Sequence, residues 1–147
     1  MKSINKNAPV TCSKTIIINA DINKVWNVLT NINDWHLWQT DISKSIIIGE
    51  LQANTNFVWK TGGANIKSTL HTVVPNKQFG WTGKTFGMFA IHNWTISEQN
   101  NGTTTVLVEE SMEGLLATLF KRAFNKSLEN GMEKWLHLLK QTCELSN

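Results

Sequence analysis

The stretch that most constrains the fold is residues 89–114, FAIHNWTISEQNNGTTTVLVEESMEG, which runs directly into an amphipathic segment from about Leu115 to Cys143. Alternation with a period of two, broken at Asn100-Asn101-Gly102, predicts a β-hairpin. Ala90, His92, Trp94 and Ile96 then share one face, and Val106, Val108, Glu110 and Met112 share the matching face of the return strand. That face is apolar except for His92 and Glu110. It has to be covered, and the segment that follows carries Leu116, Leu119, Phe120, Ala123, Phe124, Leu128, Met132, Trp135 and Leu139 at helical spacing to cover it. Two polar groups aimed into such a space point to a pocket rather than a plain core.

At 147 residues the chain fits a single domain spanning residues 1–147. Charged residues make up 17% and hydrophobic ones 41%, and no apolar run approaches the roughly 20 residues a membrane-spanning helix needs. A soluble globular protein with no integral membrane segment is expected. The first residues, MKSINKNAPVTCSK, have no apolar stretch after their lysine, so no secretory signal is expected and a cytoplasmic location is the default. Cys12 and Cys143 have no metal-type spacing and read as thiols. The net charge of +3 comes from scattered basic residues. Only Lys121, Arg122 and Lys126 cluster, and they read as a solvated helix face, so no nucleic-acid partner is expected. Oligomeric state is left open.

Seven tryptophans and no tyrosine make a biased aromatic set, in which each ring brings a large contact area and one N–H donor. Several of them lining one concavity would make a broad, mildly polar binding surface.

Along the chain, Thr11 to Asn19 reads as a β-branched strand, and Ile22 to Leu29 as a helix with Asp21 as its N-cap. Asn33 to Trp38 reads as a brief second helix capped by Asp34, which brings Trp35 and Trp38 against the sheet. Six further strands follow at Ile42 to Ile48, Asn56 to Lys60, Ile66 to Val74, Gln78 to Lys84, Met88 to Ser97 and Thr103 to Met112. Their short connections favour an antiparallel meander. The expected fold is α+β, a seven-stranded antiparallel sheet wrapped around a long C-terminal helix, with two short helices after the first strand. That helix would extend roughly 43 Å at about 1.5 Å per residue. Gly131 interrupts it at a cost of about 1 kcal/mol relative to alanine, either for a close approach or bend or as a tolerated glycine.

This order, with the residues ADINKVW (20–26), NDWHLW (33–38), FVWK (57–60), Val74-Pro75, GWTGK (80–84), IHNW (91–94) and GTTTVLVEESMEG (102–114), resembles the helix-grip superfamily. That superfamily, also labelled SRPBCC, unites START lipid-transfer domains, birch-pollen-allergen proteins and the polyketide cyclase/dehydrase group, and the resemblance is to the last branch. It spans nearly the whole chain. No single piece is specific, whereas their order and spacing are. The resemblance implies a deep cavity between sheet and C-terminal helix that takes apolar or aromatic small molecules. Activities across the superfamily range from carriers and cyclases to protein-interaction modules, so fold does not settle activity. The Cys-x-His pair of its Rieske oxygenase branch is missing here.

His92 and Glu110 are the sharpest candidates for chemistry. A turn centred near Gln99 to Asn101 puts them diagonally across the hairpin. A buried carboxylate needs a partner, and an imidazole supplies one. The pair could act as acid and base in a cyclisation or dehydration, or it could pin two strands and orient a ligand's polar end. Inward positions on the other strands give the rest of the candidate lining: Phe57 and Trp59, then Ser68 and Leu70 with Ile66 and Thr72, then Trp81. Phe86 and Met88 lie near the mouth, Trp94 and Met112 flank the polar pair, and Trp35, Trp38, Phe120, Phe124 and Leu128 close it from the helices. His36, His71 and His137 read as outward-facing. No metal or other cofactor is expected. Three functions stay open: a binding protein for an apolar ring-containing or acyl ligand, a cyclase or dehydratase using His92 and Glu110, and a protein-interaction module.

Overall fold

Successive hairpins dominate the structure, a computed structural model that describes residues 1–145. The strands are β1 (Val10–Ile18), β2 (Ile42–Ile48), β3 (Asn56–Thr61), β4 (Ala64–Val74), β5 (Gln78–Thr85), β6 (Met88–Glu98) and β7 (Thr104–Glu113). They form one sheet in the order β1-β7-β6-β5-β4-β3-β2, with every neighbouring pair antiparallel. From β2 to β7 the chain simply meanders. β1 pairs with β7 at the far edge, and the excursion between β1 and β2 holds α1 (Ile22–Thr30), a 3-10 turn (Ile32–Asp34) and α2 (Trp35–Trp38).

α1 starts where Asp21 accepts the Asn23 N–H at 2.8 Å, as its sequence predicts, and turns Val25, Trp26 and Leu29 inward. α2 differs from expectation at its cap. Asp34 makes no capping bond there, because its carboxylate takes the Asn31 side-chain amide at 2.7 Å instead. Trp35 is fixed all the same, fully buried, with its indole N–H donated to the Leu29 carbonyl at 2.8 Å.

β4 carries a bulge between Leu70 and Thr72. The extra residue shifts the alternation, so Val73 pairs with inward-facing Phe79 and packs on the core, and Thr72 does not face inward as a strict period of two requires.

The long C-terminal helix is two helices, α3 (Leu115–Leu119) and α4 (Lys121–Leu145), separated at Phe120, whose φ of −108° and ψ of 30° leave the helical region. Two anchors explain the break. Gly114, at φ 129°, sits so close to the β5–β6 turn that a Cβ there would lie 2.7 Å from the Gly87 carbonyl oxygen. That contact pins the start of α3, and Ala117 is buried behind it. α4 is held instead along β1: Lys14 pairs with Glu129 and Glu133, Asn125 accepts the Thr11 N–H at 3.2 Å, and Lys140 donates to the Ile17 carbonyl at 2.7 Å. One straight rod does not meet both directions.

Burial follows. Met132, Trp135, Leu136, Leu139 and Cys143 are buried along the second half of α4, whereas Leu116, Leu119, Phe120 and Ala123, expected to cover the sheet, are exposed. The grip therefore closes at one end and stands open at the other.

Gly131 lies in unbroken helix, and a Cβ added there would meet nothing within 4 Å, so neither a close approach nor a bend needs it. Gly131→Ala is expected to raise stability by about 1 kcal/mol, a rise of about 2–4 °C in Tm, read by thermal unfolding. A lower Tm would mean that this position does need its glycine.

Candidate functional site

Indole rings fill the closed end of the grip. Trp35 meets Phe57, Trp59, Trp81 and Trp135 at ring-centroid distances of 5.6, 5.9, 5.4 and 5.1 Å. Trp38 and Trp94 extend the cluster through Trp135 at 5.4 and 5.8 Å. Phe57, Leu70 and Trp94 are fully buried, and Ser68 accepts the Trp59 indole N–H at 3.1 Å. The deep cavity expected of the resemblance is thus occupied here by the protein's own rings, since seven tryptophans carry more volume than a smaller aliphatic lining would. Trp35, Trp38, Phe57, Trp59, Leu70 and Trp94 serve as core first.

The polar pair sits at the edge of that cluster. His92 is directly opposite Glu110 in the β6–β7 register, one step from the expected diagonal, because the loop closes with the Gln99 N–H on the Thr103 carbonyl at 2.8 Å. The imidazole Nδ1 hydrogen-bonds the Glu110 Oε2, and the two residues are 8% and 7% exposed. The ring also stacks on Trp81 with centroids 4.3 Å apart and planes 9° apart. The tilted Trp94 ring, 5.4 Å away, makes a third contact on the same imidazole. A neutral ring that donates Nδ1–H to the carboxylate would present Nε2 as an acceptor, whereas a doubly protonated ring would present a second N–H there. That Nε2 is buried and, among the described residues, has no hydrogen-bond partner; the same is true of the Trp94 Nε1–H donor. Unsatisfied buried groups cost about 1–3 kcal/mol each, and Trp38 Nε1, Ser45 Oγ, His71 Nε2 and Asn93 Oδ1 share that state.

One register step toward the open end, the inner face changes character. Met112, Ala90, Gly83 and Ser68 pair in succession across β7, β6, β5 and β4, a row whose middle members are small. Ala90 is half-buried although it faces inward, so solvent reaches the sheet at that point. Met88, Met112, Phe124 and Leu128 around it are also half-buried. Phe86 and Phe120 do not belong to this half-buried group but are exposed, Phe86 on the β5–β6 turn and Phe120 at the helix break. Two open surface clefts, about 670 and 590 Å³, lie on the flanks of α4, one against Lys14 to Ile16 of β1 and the other against α1 and α2. Neither reaches His92 or Glu110.

Cys12 is the residue that sequence reasoning missed. The β1–β7 register sets it directly across from Glu110, so Cys12, Glu110, His92 and Trp81 run as one inward row over four strands. No local signal announces this, because β1 and β7 are joined through the whole chain. Burial, more than any neighbouring charge, pushes the Cys12 thiol up, and burial likewise pushes Cys143 up to about 11, so both stay protonated and weakly nucleophilic. Ser111 faces the outer surface, where it accepts the Asn5 N–H at 3.0 Å. Among the described residues no group of His, Cys, Asp and Glu is arranged to hold a metal.

A family model described as "Polyketide cyclase / dehydrase and lipid transport" matches residues 9–144. No curated protein sequence matches the chain. Among solved structures, a hypothetical protein of Helicobacter pylori superposes with a TM-score of 0.86 at 18% identity, covering 98% of each chain. The Zhui aromatase/cyclase of Streptomyces sp. R1128 superposes with a TM-score of 0.80 at 13% identity, covering 91% of this chain and 93% of that one. A START superfamily protein of Mycobacterium smegmatis gives 0.76 at 13% identity, covering 93% and 99%. At these identities the likeness is one of fold.

His71 faces the outer surface, as expected, but it is half-buried against the bare Cα of Gly80 beside Asn93. Burial, helped by the Lys2 and N-terminal charges, lowers its pKa to about 4. The unfolded chain takes up that proton near pH 6.5 and the folded one does not. Stability is therefore expected to fall as pH drops from about 6.5 toward 4, and His71→Gln should lose that part of the slope in denaturant titrations at a series of pH values. An unchanged slope would place the titration elsewhere.

Proposed function

The chain belongs to the polyketide cyclase / dehydrase and lipid transport family, and from that premise we propose that it binds an apolar, ring-containing small molecule at the open end of the grip. The ligand lies against Ala90, Gly83 and Met112, and its polar end donates a hydrogen bond to His92 Nε2. The observation that carries this reading is the unpartnered Nε2 of an imidazole bonded to Glu110 through Nδ1 and stacked on Trp81. A hydroxyl or enol suits it, because a bare ring nitrogen accepts and the apolar surround disfavours a full charge. Trp94 Nε1–H offers a complementary donor.

A second reading rests on the same pair. A neutral imidazole whose proton is fixed on Nδ1 by a carboxylate is arranged to take a proton at Nε2, as a cyclisation or dehydration on a bound carbonyl compound requires, and Glu110 would stabilise the resulting imidazolium. Glu110→Gln separates the two. Binding retained with turnover abolished supports catalysis, and binding in a parent protein that turns over no carbonyl substrate supports a carrier.

The binding claim is tested by native mass spectrometry and tryptophan quenching with a panel of naphthols, flavonoids, aromatic polyketides and fatty acids. Ala90→Phe, which fills the hollow, is expected to abolish binding with little change in Tm. His92→Phe keeps a ring on Trp81 but removes the acceptor, and should weaken a hydroxylated ligand about 10-fold while leaving one without a hydroxyl unaffected. Bare protein across the whole panel, or an unaffected Ala90→Phe variant, would overturn the reading.

A further inference from the structure

We propose that the open end of the grip is also a docking surface for anionic lipid bilayers, whether or not the hollow holds a ligand. The first observation is a patch of large apolar side chains that nothing covers. Phe86, Leu115, Leu119 and Phe120 are 70%, 73%, 65% and 56% exposed, with Leu116 at 36%. The contact of Gly114 with Gly87 brings the two segments that carry them, the β5–β6 turn and α3, into one surface.

The second observation concerns Phe86 alone. It holds a φ of 46°, in the left-handed region that bulky residues avoid, and nevertheless projects into solvent at the tip of a tight turn. An apolar ring kept exposed at a conformational cost of about 1–3 kcal/mol is contributing nothing to the core.

The third is charge. Residues 51 to 97 include Lys60, Lys67, Lys77 and Lys84 and no acid, and residues 114 to 128 include Lys121, Arg122 and Lys126 and no acid. The strand register gathers three of the first set, Lys60, Lys67 and Lys84, with Lys44 at one end of the sheet, while Lys77 lies at the other end between β4 and β5. Lys44 lies directly opposite Lys60, and Lys67 directly opposite Lys84, on the outer face beside the Phe86 turn. Like charges directly opposite destabilise a sheet unless an anion lies over them. Lys2, over the Phe89 ring at 5.3 Å, joins the same end. The acids that the register sets nearby are Glu113, whose carboxylate takes the Asn5 side-chain amide, and Asp41 beside the Ile42–Thr61 pair, which is paired with Lys134.

Apolar side chains at the tip with cations behind them match the two layers of a bilayer interface, acyl boundary and anionic headgroups. A nucleic acid would use the lysines and leave the leucines and phenylalanines in water. No helix of the described residues is long and apolar enough to cross a membrane, so the association is peripheral.

The test is co-sedimentation of the full chain with phosphatidylcholine vesicles and with mixed phosphatidylcholine–phosphatidylglycerol vesicles, backed by energy transfer from the tryptophans to a dansyl lipid. Binding to the anionic vesicles alone, reversed by added salt, is expected. Lys121→Ala with Arg122→Ala should weaken it about 30-fold, at about 1 kcal/mol per cation. Leu119→Glu with Phe120→Glu should abolish it, with circular dichroism unchanged because both residues are exposed. Phe86→Gly should weaken binding while leaving Tm equal or higher, a combination that a fold-supporting Phe86 would not give. Absence of sedimentation with anionic vesicles would overturn the proposal. So would binding to a single-stranded RNA that the cation variants lose and the apolar variants keep.

Discussion

Trp35 is the side chain on which both layers of this fold converge. It reaches the sheet through Phe57, Trp59 and Trp81, the C-terminal helix through Trp135, and its own layer through the Leu29 carbonyl. Edge-on aromatic contacts each add about 0.5–1.5 kcal/mol to the burial of the rings themselves. A hub of that kind fixes how far α4 stands from the sheet at one end. At the other end α3 buries Ala117 and leaves Leu115, Leu116 and Leu119 exposed.

The position of the candidate site follows from that asymmetry. His92 lies where the packed rings stop, stacked on Trp81 and bonded to Glu110, with the small side chains of Ala90 and Gly83 next in line. Desolvation makes the pair costly in isolation, and its mutual hydrogen bond with the stacking contact offsets part of that cost. The Nε2 left over lacks such compensation. A fold of this family with fewer tryptophans would have room deeper in, so the aromatic composition determines how far the rings fill the grip.

Much of this was legible in the sequence wherever periodicity is local. The hairpin of β6 and β7, the order of the elements and the meeting of His92 with Glu110 all follow from alternation about a turn. What escaped was set by long-range register and by volume. Cys12 reaches Glu110 through the pairing of the first strand with the last, and the Lys67–Lys84 and Lys44–Lys60 pairs appear when strands are laid side by side. The bulge in β4 changes parity without any glycine or proline to announce it. The break at Phe120 arises from two anchors, one at Gly114 and one along β1, and helical periodicity continues unchanged across it. Seven tryptophans signalled a broad aromatic surface, but whether rings line a space or fill it depends on distances that composition does not contain.

Nitrogen-15 NMR of the four histidine imidazoles addresses the state of His92 most directly, recorded with and without a naphthol as the hydroxyl-bearing apolar probe. In the free protein His92 should show a protonated Nδ1 and a bare Nε2, and on addition of the naphthol the Nε2 resonance should move upfield while His36, His71 and His137 stay in place. A His92 protonated at Nε2, or an Nε2 signal unmoved while the naphthol is demonstrably bound, would contradict this assignment of the ring's free nitrogen as the ligand's acceptor.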